Sequence, residues 1–133
     1  MERVTLHVEA DVNPTESEEK VRLAIENVFG AVETKAEPVY RRVKISATGK
    51  GSEALTKLYN LLRREHIRAA ARKVLVTGID RNTIRFCLNK QVAYAGHVSF
   101  CQEEAESPLG PIRVKIECEN PRWLIDWLTS ENV

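Results

Sequence analysis

Val4, Leu6, Val8 and Ala10 alternate with Arg3, Thr5, His7 and Glu9, and this period of two predicts a half-buried strand at the start of the chain. Asn13-Pro14 stops it. Thr15 and Glu18 stand at capping-box spacing, and Val21, Ala24, Ile25, Val28 and Phe29 then recur at helical intervals up to Gly30, which predicts a first helix over about 16–29. A second strand region is expected over roughly 32–48, broken near Pro38. Within it Val43, Ile45 and Ala47 point opposite to Arg42, Lys44, Ser46 and Thr48.

Gly49-Lys50-Gly51-Ser52 turns the chain into an expected long helix over about 53–76, with Ser52 as its N-cap and Leu55, Leu58, Tyr59, Leu62, Ala69 and Ala70 sharing a face. After Gly78 and the turn at Asp80-Arg81-Asn82, Ile84, Phe86 and Leu88 alternate with Arg85 and Cys87 as a strand. Residues 89–95 read equally as a short helical turn or a strand continuation. Strands are predicted from His97 to Cys101 and from Ile112 to Cys118, separated by the stiff Ser107-Pro108-Leu109-Gly110-Pro111 turn. Asn120-Pro121 then caps a final helix whose Trp123, Leu124, Trp127 and Leu128 are expected in the core. The order of elements predicts one α+β domain over residues 1–133, a mainly antiparallel sheet of about five strands with helices packed on one face.

Charge changes this picture more than composition does. Residues 1–40 hold nine carboxylates and four basic groups, residues 41–98 hold thirteen Lys and Arg against Glu53, Glu65 and Asp80, and residues 99–133 hold seven carboxylates and three basic groups. The net charge of +1 therefore conceals a basic middle between acidic ends, the arrangement of a protein that offers one surface to a polyanion. RNA is the expected partner. With 43% apolar and 29% charged residues and no apolar run approaching a bilayer span, the chain reads as cytoplasmic with no membrane partner. Cys87, Cys101 and Cys118 are widely spaced and form no C-x-x-C pair, and no two of them with His7, His66 and His97 stand at the short spacing of a metal-ligand pair. No cofactor or metal is expected, and the three thiols are expected to stay reduced.

At about 100° per residue, Lys57, Arg64, Arg68 and Arg72 fall in a stripe about 80° wide, away from the leucine face. Like charges four residues apart cost a few tenths of a kcal/mol, and a bound phosphate backbone would offset that. A second basic surface is expected on the open sheet face from Arg42, Lys44, Arg85, Arg113 and Lys115. Backbone amides at the helix start beside Lys50 could hold one phosphate. Phe86 and Phe100 belong to the apolar alternation, so neither surface carries stacking platforms, and recognition of phosphate and shape is favoured over readout of single-stranded bases.

The stretches Ile67 to Leu75, Leu88 to Ala93 and Ser107 to Ile112, with Asn13-Pro14-Thr15-Glu16 and Ile125-Asp126-Trp127-Leu128, resemble a small archaeal family of unassigned function whose sequence grouping is labelled RNA binding. The likeness covers nearly the whole chain and implies a fold related to the large-subunit ribosomal protein that binds five-S RNA. Lys90, within the second motif, completes the expected RNA-contact set of Arg42, Lys44, Lys50, Lys57, Arg64, Arg68, Arg72 and Arg85. Two other classes remain open from sequence. One is an interaction or dimerisation module using Trp123, Trp127 or a sheet edge, with a homodimer as its partner. The other is a small enzyme drawing an acid or base from Lys90, Gln91, His97 and Glu106, although no nucleophile, base and orienting group can be named and no catalytic residue is expected.

Overall fold

The computed structural model describes residues 3–30, 32–40, 42–101 and 110–130. Its elements run β1 (Val4–Val12), α1 (Glu18–Phe29), β2 (Glu33–Val39), β3 (Arg42–Lys50), a 3-10 turn (Ser52–Leu55), α2 (Thr56–Arg64), α3 (Arg68–Thr77), β4 (Ile79–Asp80), β5 (Thr83–Leu88), α4 (Lys90–Tyr94), β6 (Phe100–Cys101), β7 (Ile112–Cys118) and α5 (Pro121–Thr129). The strands form an antiparallel sheet in the order β2-β3-β1-β7-β5-β4, with β6 added to β5. The α+β class and antiparallel pairing are as expected. The strand number is seven rather than about five, because the second strand region is a hairpin of two strands and the two-residue β4 docks beside β5.

Alternation in β1 is complete: every even-numbered residue from Val4 to Val12 is buried, and every odd-numbered one between them is half-exposed. The paired register carries this alternation across the sheet, so Val8 lies beside Ala47 and Val114, and Val114 beside Phe86, all turned to the helix side. Ile25 and Phe29 of α1 and Leu58 and Leu62 of α2 complete that core with at most 1% exposure. Each such side chain contributes roughly 1.5–3 kcal/mol over leaving it in water.

Several local expectations are corrected. Ser17, not Thr15, caps α1, accepting from the Lys20 amide, while Glu16 is drawn elsewhere. Pro38 does not break the strand region, since β2 is the outermost strand and has an unpaired side where a missing N–H costs nothing. The reversal comes at Tyr40, with φ +58°. Residues 89–95 resolve as helix, capped by Asn89 on the Val92 amide. Only Phe100 and Cys101 of the 97–101 stretch are strand. Of the Ser107 to Pro111 turn, Ser107, Pro108 and Leu109 lie outside the described residues. Trp123 is 51% exposed rather than core, and Trp127 stacks on Tyr59 with ring centroids 4.7 Å apart.

The largest correction concerns the long helix. It is two helices, separated at Glu65-His66-Ile67, where His66 adopts φ +56° and the Ile67 amide reaches back to the Leu62 carbonyl. The break shifts the apolar phase, so Ala71 and Leu75 are buried while Ala69 and Ala70 are exposed. At its far end Gly78 lies so close to the Arg85 carbonyl that a Cβ there would overlap it. A glycine is therefore required at this approach of α3 to β5.

Candidate nucleic-acid interface

The odd-numbered residues of β1 face away from the helices, and the pairings align them in rows with their neighbours. One row runs Thr48, His7, Lys115 and Arg85, and the next Ser46, Glu9, Arg113, Cys87 and Cys101. The acidic residues of β1 thus stand between the basic residues of β3 and β7. Glu9 holds Arg113 at 2.9 Å and Lys44 at 3.7 Å, and Asp11 holds Arg42 at 3.3 Å and Arg113 at 3.6 Å. Burial works against the Arg113 guanidinium, but its hydrogen bond to Glu9 and the charges of Asp11 and Glu9 outweigh that and raise its pKa. Glu117 takes up His7 at 2.9 Å and Lys115 at 3.8 Å. The β3 half of this face is consequently an ion-pair lattice, and Arg42 and Lys44 are half of it.

The balance differs toward β5. A groove of about 1080 Å³ crosses the face, lined by outward residues of four adjacent strands and walled at one edge by the end of α3. Among the described residues, Lys73, Arg85, Arg113 and Lys115 supply its cations and Glu9 its carboxylate, with His7, Ser46, Thr48 and Thr77 as further polar groups. Among the described residues, the Arg85 guanidinium and the Lys73 ammonium have no hydrogen bond or ion pair, and both residues are exposed. Sequence reading missed Lys73, because a continuous helix would have placed it elsewhere; the signal was the Glu65-His66 interruption.

The basic stripe is brought together differently from expectation. Lys57 Nζ donates to the Glu26 carbonyl at 3.1 Å, in the last turn of α1. Arg64 donates to the Gly96 carbonyl at 3.1 Å, Arg68 to the Ser130 carbonyl at 2.9 Å, and Arg72 to Asp126 at 2.6 Å. Arg63, outside the stripe, reaches the carbonyls of Leu128 and Ser130 at 3.1 and 2.9 Å and lies over the Tyr59 ring. The repulsion within the stripe is offset by acceptors inside the chain, several at helix C-termini where positive charge is stabilising. Lys50 is exposed at the end of β3, but the Gly51 amide beside it donates to the Val4 carbonyl and is not available to a phosphate.

A family model described as "RNA binding" matches residues 5–118, from β1 through β7. A UPF0201 protein of Sulfurisphaera tokodaii is 44% identical over 124 residues, covering 93% of this chain and 86% of that one, and a UPF0201 protein of Aeropyrum pernix is 40% identical over 134 residues, covering 98% and 88%. The chain belongs to the archaeal UPF0201 family. The crystal structure of the UPF0201 protein from Methanococcus jannaschii superposes with a TM-score of 0.84 at 33% identity, covering 94% of this chain and 98% of that one.

These UPF0201 relatives carry no enzymatic name, and among the described residues Lys90 and His97 each turn to a different carboxylate. Lys90 is 6% exposed, with its ammonium 3.0 and 3.2 Å from the two Glu16 carboxylate oxygens and 2.7 Å from the Asp11 carbonyl. Lys90 is therefore enclosed, whereas the sequence alone places it among exposed contact residues. His97 faces Glu65 at 2.9 Å, on the other side of α4, while Gln91 is exposed and Glu106 lies outside the described residues. Two of the stretches that carry the sequence resemblance, Asn13 to Glu16 and Leu88 to Ala93, meet in the Glu16–Lys90 pair. Cys118 is buried in the apolar face as expected, whereas Cys87 and Cys101 stand opposite each other in the groove. No helix among the described residues is long and apolar enough to cross a membrane.

Proposed function

We propose that this UPF0201 protein binds RNA without catalysis, and that the β5 side of the open sheet face is the principal contact surface. The observation that carries the reading is the groove in which the exposed Lys73 and Arg85 project beside Arg113 and Lys115, the latter two paired with Glu9, Asp11 and Glu117 and the former two without an ion pair among the described residues. The family description supports RNA as the polyanion. Lys50, Arg42 and Lys44 extend the basic surface along β3. Surface ion pairs such as those of Arg42 and Lys44 are worth only about 0–1 kcal/mol, so a phosphate can replace their carboxylates at little cost. The same holds for Arg72. Lys57, Arg64 and Arg68 serve as secondary contacts, since each must give up a backbone carbonyl to reach a phosphate.

Recognition is of phosphate and shape. Among the described residues the face holds no exposed aromatic ring on which a base could stack, and Tyr40, 92% exposed, stands apart at the β2–β3 turn. Four groove cations on phosphates give a slope of log affinity against log salt of about −3, at about 0.7 per phosphate. Ultraviolet crosslinking of the full chain to a folded RNA, followed by peptide mapping, tests the placement. Crosslinks on β5, β7 and the end of α3 are expected. Crosslinks confined to α2 and α5, or no affinity above that of an uncharged control protein at low salt, would overturn it.

A further inference from the structure

Cys87 and Cys101 are 14 positions apart in sequence yet directly paired across β5 and β6. The Asn89 amide donates to the Ser99 carbonyl at 2.8 Å. Hydrogen-bonded pairs recur at every second position of an antiparallel ladder, which puts Cys87 and Cys101 in the same class, with Cα atoms about 5.5 Å apart. That separation lies inside the roughly 4.4–6.8 Å range of disulfides. Directly opposed residues send their side chains to the same side, and both cysteines line the groove and are half-exposed. Both are thiols in this structure. Arg113 stands opposite Cys87 on its other side, with its guanidinium held by Glu9 and Asp11. The Cβ atoms of facing strand residues lie about 5 Å apart, against about 4 Å in a disulfide. β6, a two-residue strand at the sheet margin, is the element able to close that difference.

We infer that Cys87 and Cys101 form a dithiol site that undergoes reversible exchange with small-molecule disulfides, closing a cross-strand bond at the rim of the groove. The thiolate of Cys87 attacks one sulfur of a disulfide such as oxidised glutathione, forming a mixed disulfide and releasing one glutathione thiolate. Cys101, as its thiolate, then attacks the Cys87 sulfur and releases the second. The small disulfide is reduced by two electrons to two thiols, which take up the two protons lost by the cysteines, and the protein pair is oxidised. Cys118 lies 5% exposed on the opposite face of β7 and takes no part. The site is independent of the RNA reading.

The test is incubation of the full chain with oxidised glutathione, then unfolding, alkylation and peptide mass mapping. A Cys87–Cys101 link with Cys118 alkylated is expected, reversed by dithiothreitol. The C101S variant should stop at a stable glutathione adduct on Cys87. Three alkylatable thiols in the wild type, a wild type halted at the mixed disulfide, or a link that includes Cys118 would overturn the inference.

Discussion

Lys90 Nζ lies 3.0 Å from Glu16 Oε1, joining the first turn of α4 to the entry of α1 across 74 positions of sequence. Glu16 also accepts from the backbone amide and the side-chain amide of Asn13, at 3.0 and 2.9 Å. Four hydrogen bonds thus converge on one carboxylate, and a lysine that is almost fully enclosed keeps its charge satisfied. The junction gives the Asn13 to Glu16 and Leu88 to Ala93 stretches a shared structural contact.

Removing one member of such a pair strands the other, at a typical cost of about 3–5 kcal/mol. Lys90→Met is therefore expected to lower unfolding stability by about 3 kcal/mol in urea denaturation. Adding Glu16→Gln should recover part of the loss, because no uncompensated charge then remains. Equal losses that simply add would contradict the coupling.

Arg63 predicts a second stability effect. Its guanidinium bonds the carbonyls of Tyr59, Leu128 and Ser130 and the Ser130 hydroxyl, tying α2 to the end of α5. Hydrogen bonds to a charged group contribute about 1.5–3 kcal/mol each at most, and they share one side chain here. Arg63→Ala is expected to cost about 2–3 kcal/mol, and Arg64→Ala, exposed and holding the Gly96 carbonyl and the neighbouring Glu65 carboxylate, less than about 1 kcal/mol. Thermal melts of the two variants rank them.

Glu65 supplies a pH dependence. Burial pushes its carboxyl pKa up, but the His97 hydrogen bond, the Val98 amide, the His97 charge and the Arg64 hydrogen bond outweigh this and hold it below the ordinary glutamate value. A pKa depressed in the folded state adds stability that is complete above the unfolded-state pKa and is lost as pH falls through the folded-state value. The stability gap between wild type and Glu65→Gln should therefore be largest near neutrality and shrink in acid. A gap that widened as pH fell would reverse the assigned sign.

β1, β7 and the Asn120-Pro121 start of α5 were legible in the sequence because each has a local cause: strict alternation, or a cap and a proline at the right offset. The division of α2 from α3 was not. Leu62 and Ala69 stand seven positions apart, the spacing of one continuous helical face, yet the helix ends before Glu65, whose side chain meets His97, 32 positions away. The open face was legible as to which residues point outward, but not as to their neighbours. Arg42, Lys44 and Arg113 read as a basic surface until the register set Glu9 and Asp11 between them. Charge counted along a strand does not reveal charge compensated across strands.

The central claim, that the groove rather than the helix stripe carries RNA contact, is tested most directly by comparing two charge-neutralised variants in a salt titration of binding to one folded RNA. K73Q/R85Q removes the two groove cations that make no ion pair among the described residues, and R64Q/R72Q removes two of the stripe. The first should weaken binding and reduce the salt slope by about 1.4, at about 0.7 per phosphate, while the second stays close to wild type. A normal slope in K73Q/R85Q together with a reduced one in R64Q/R72Q would contradict the account and return the interface to the helices.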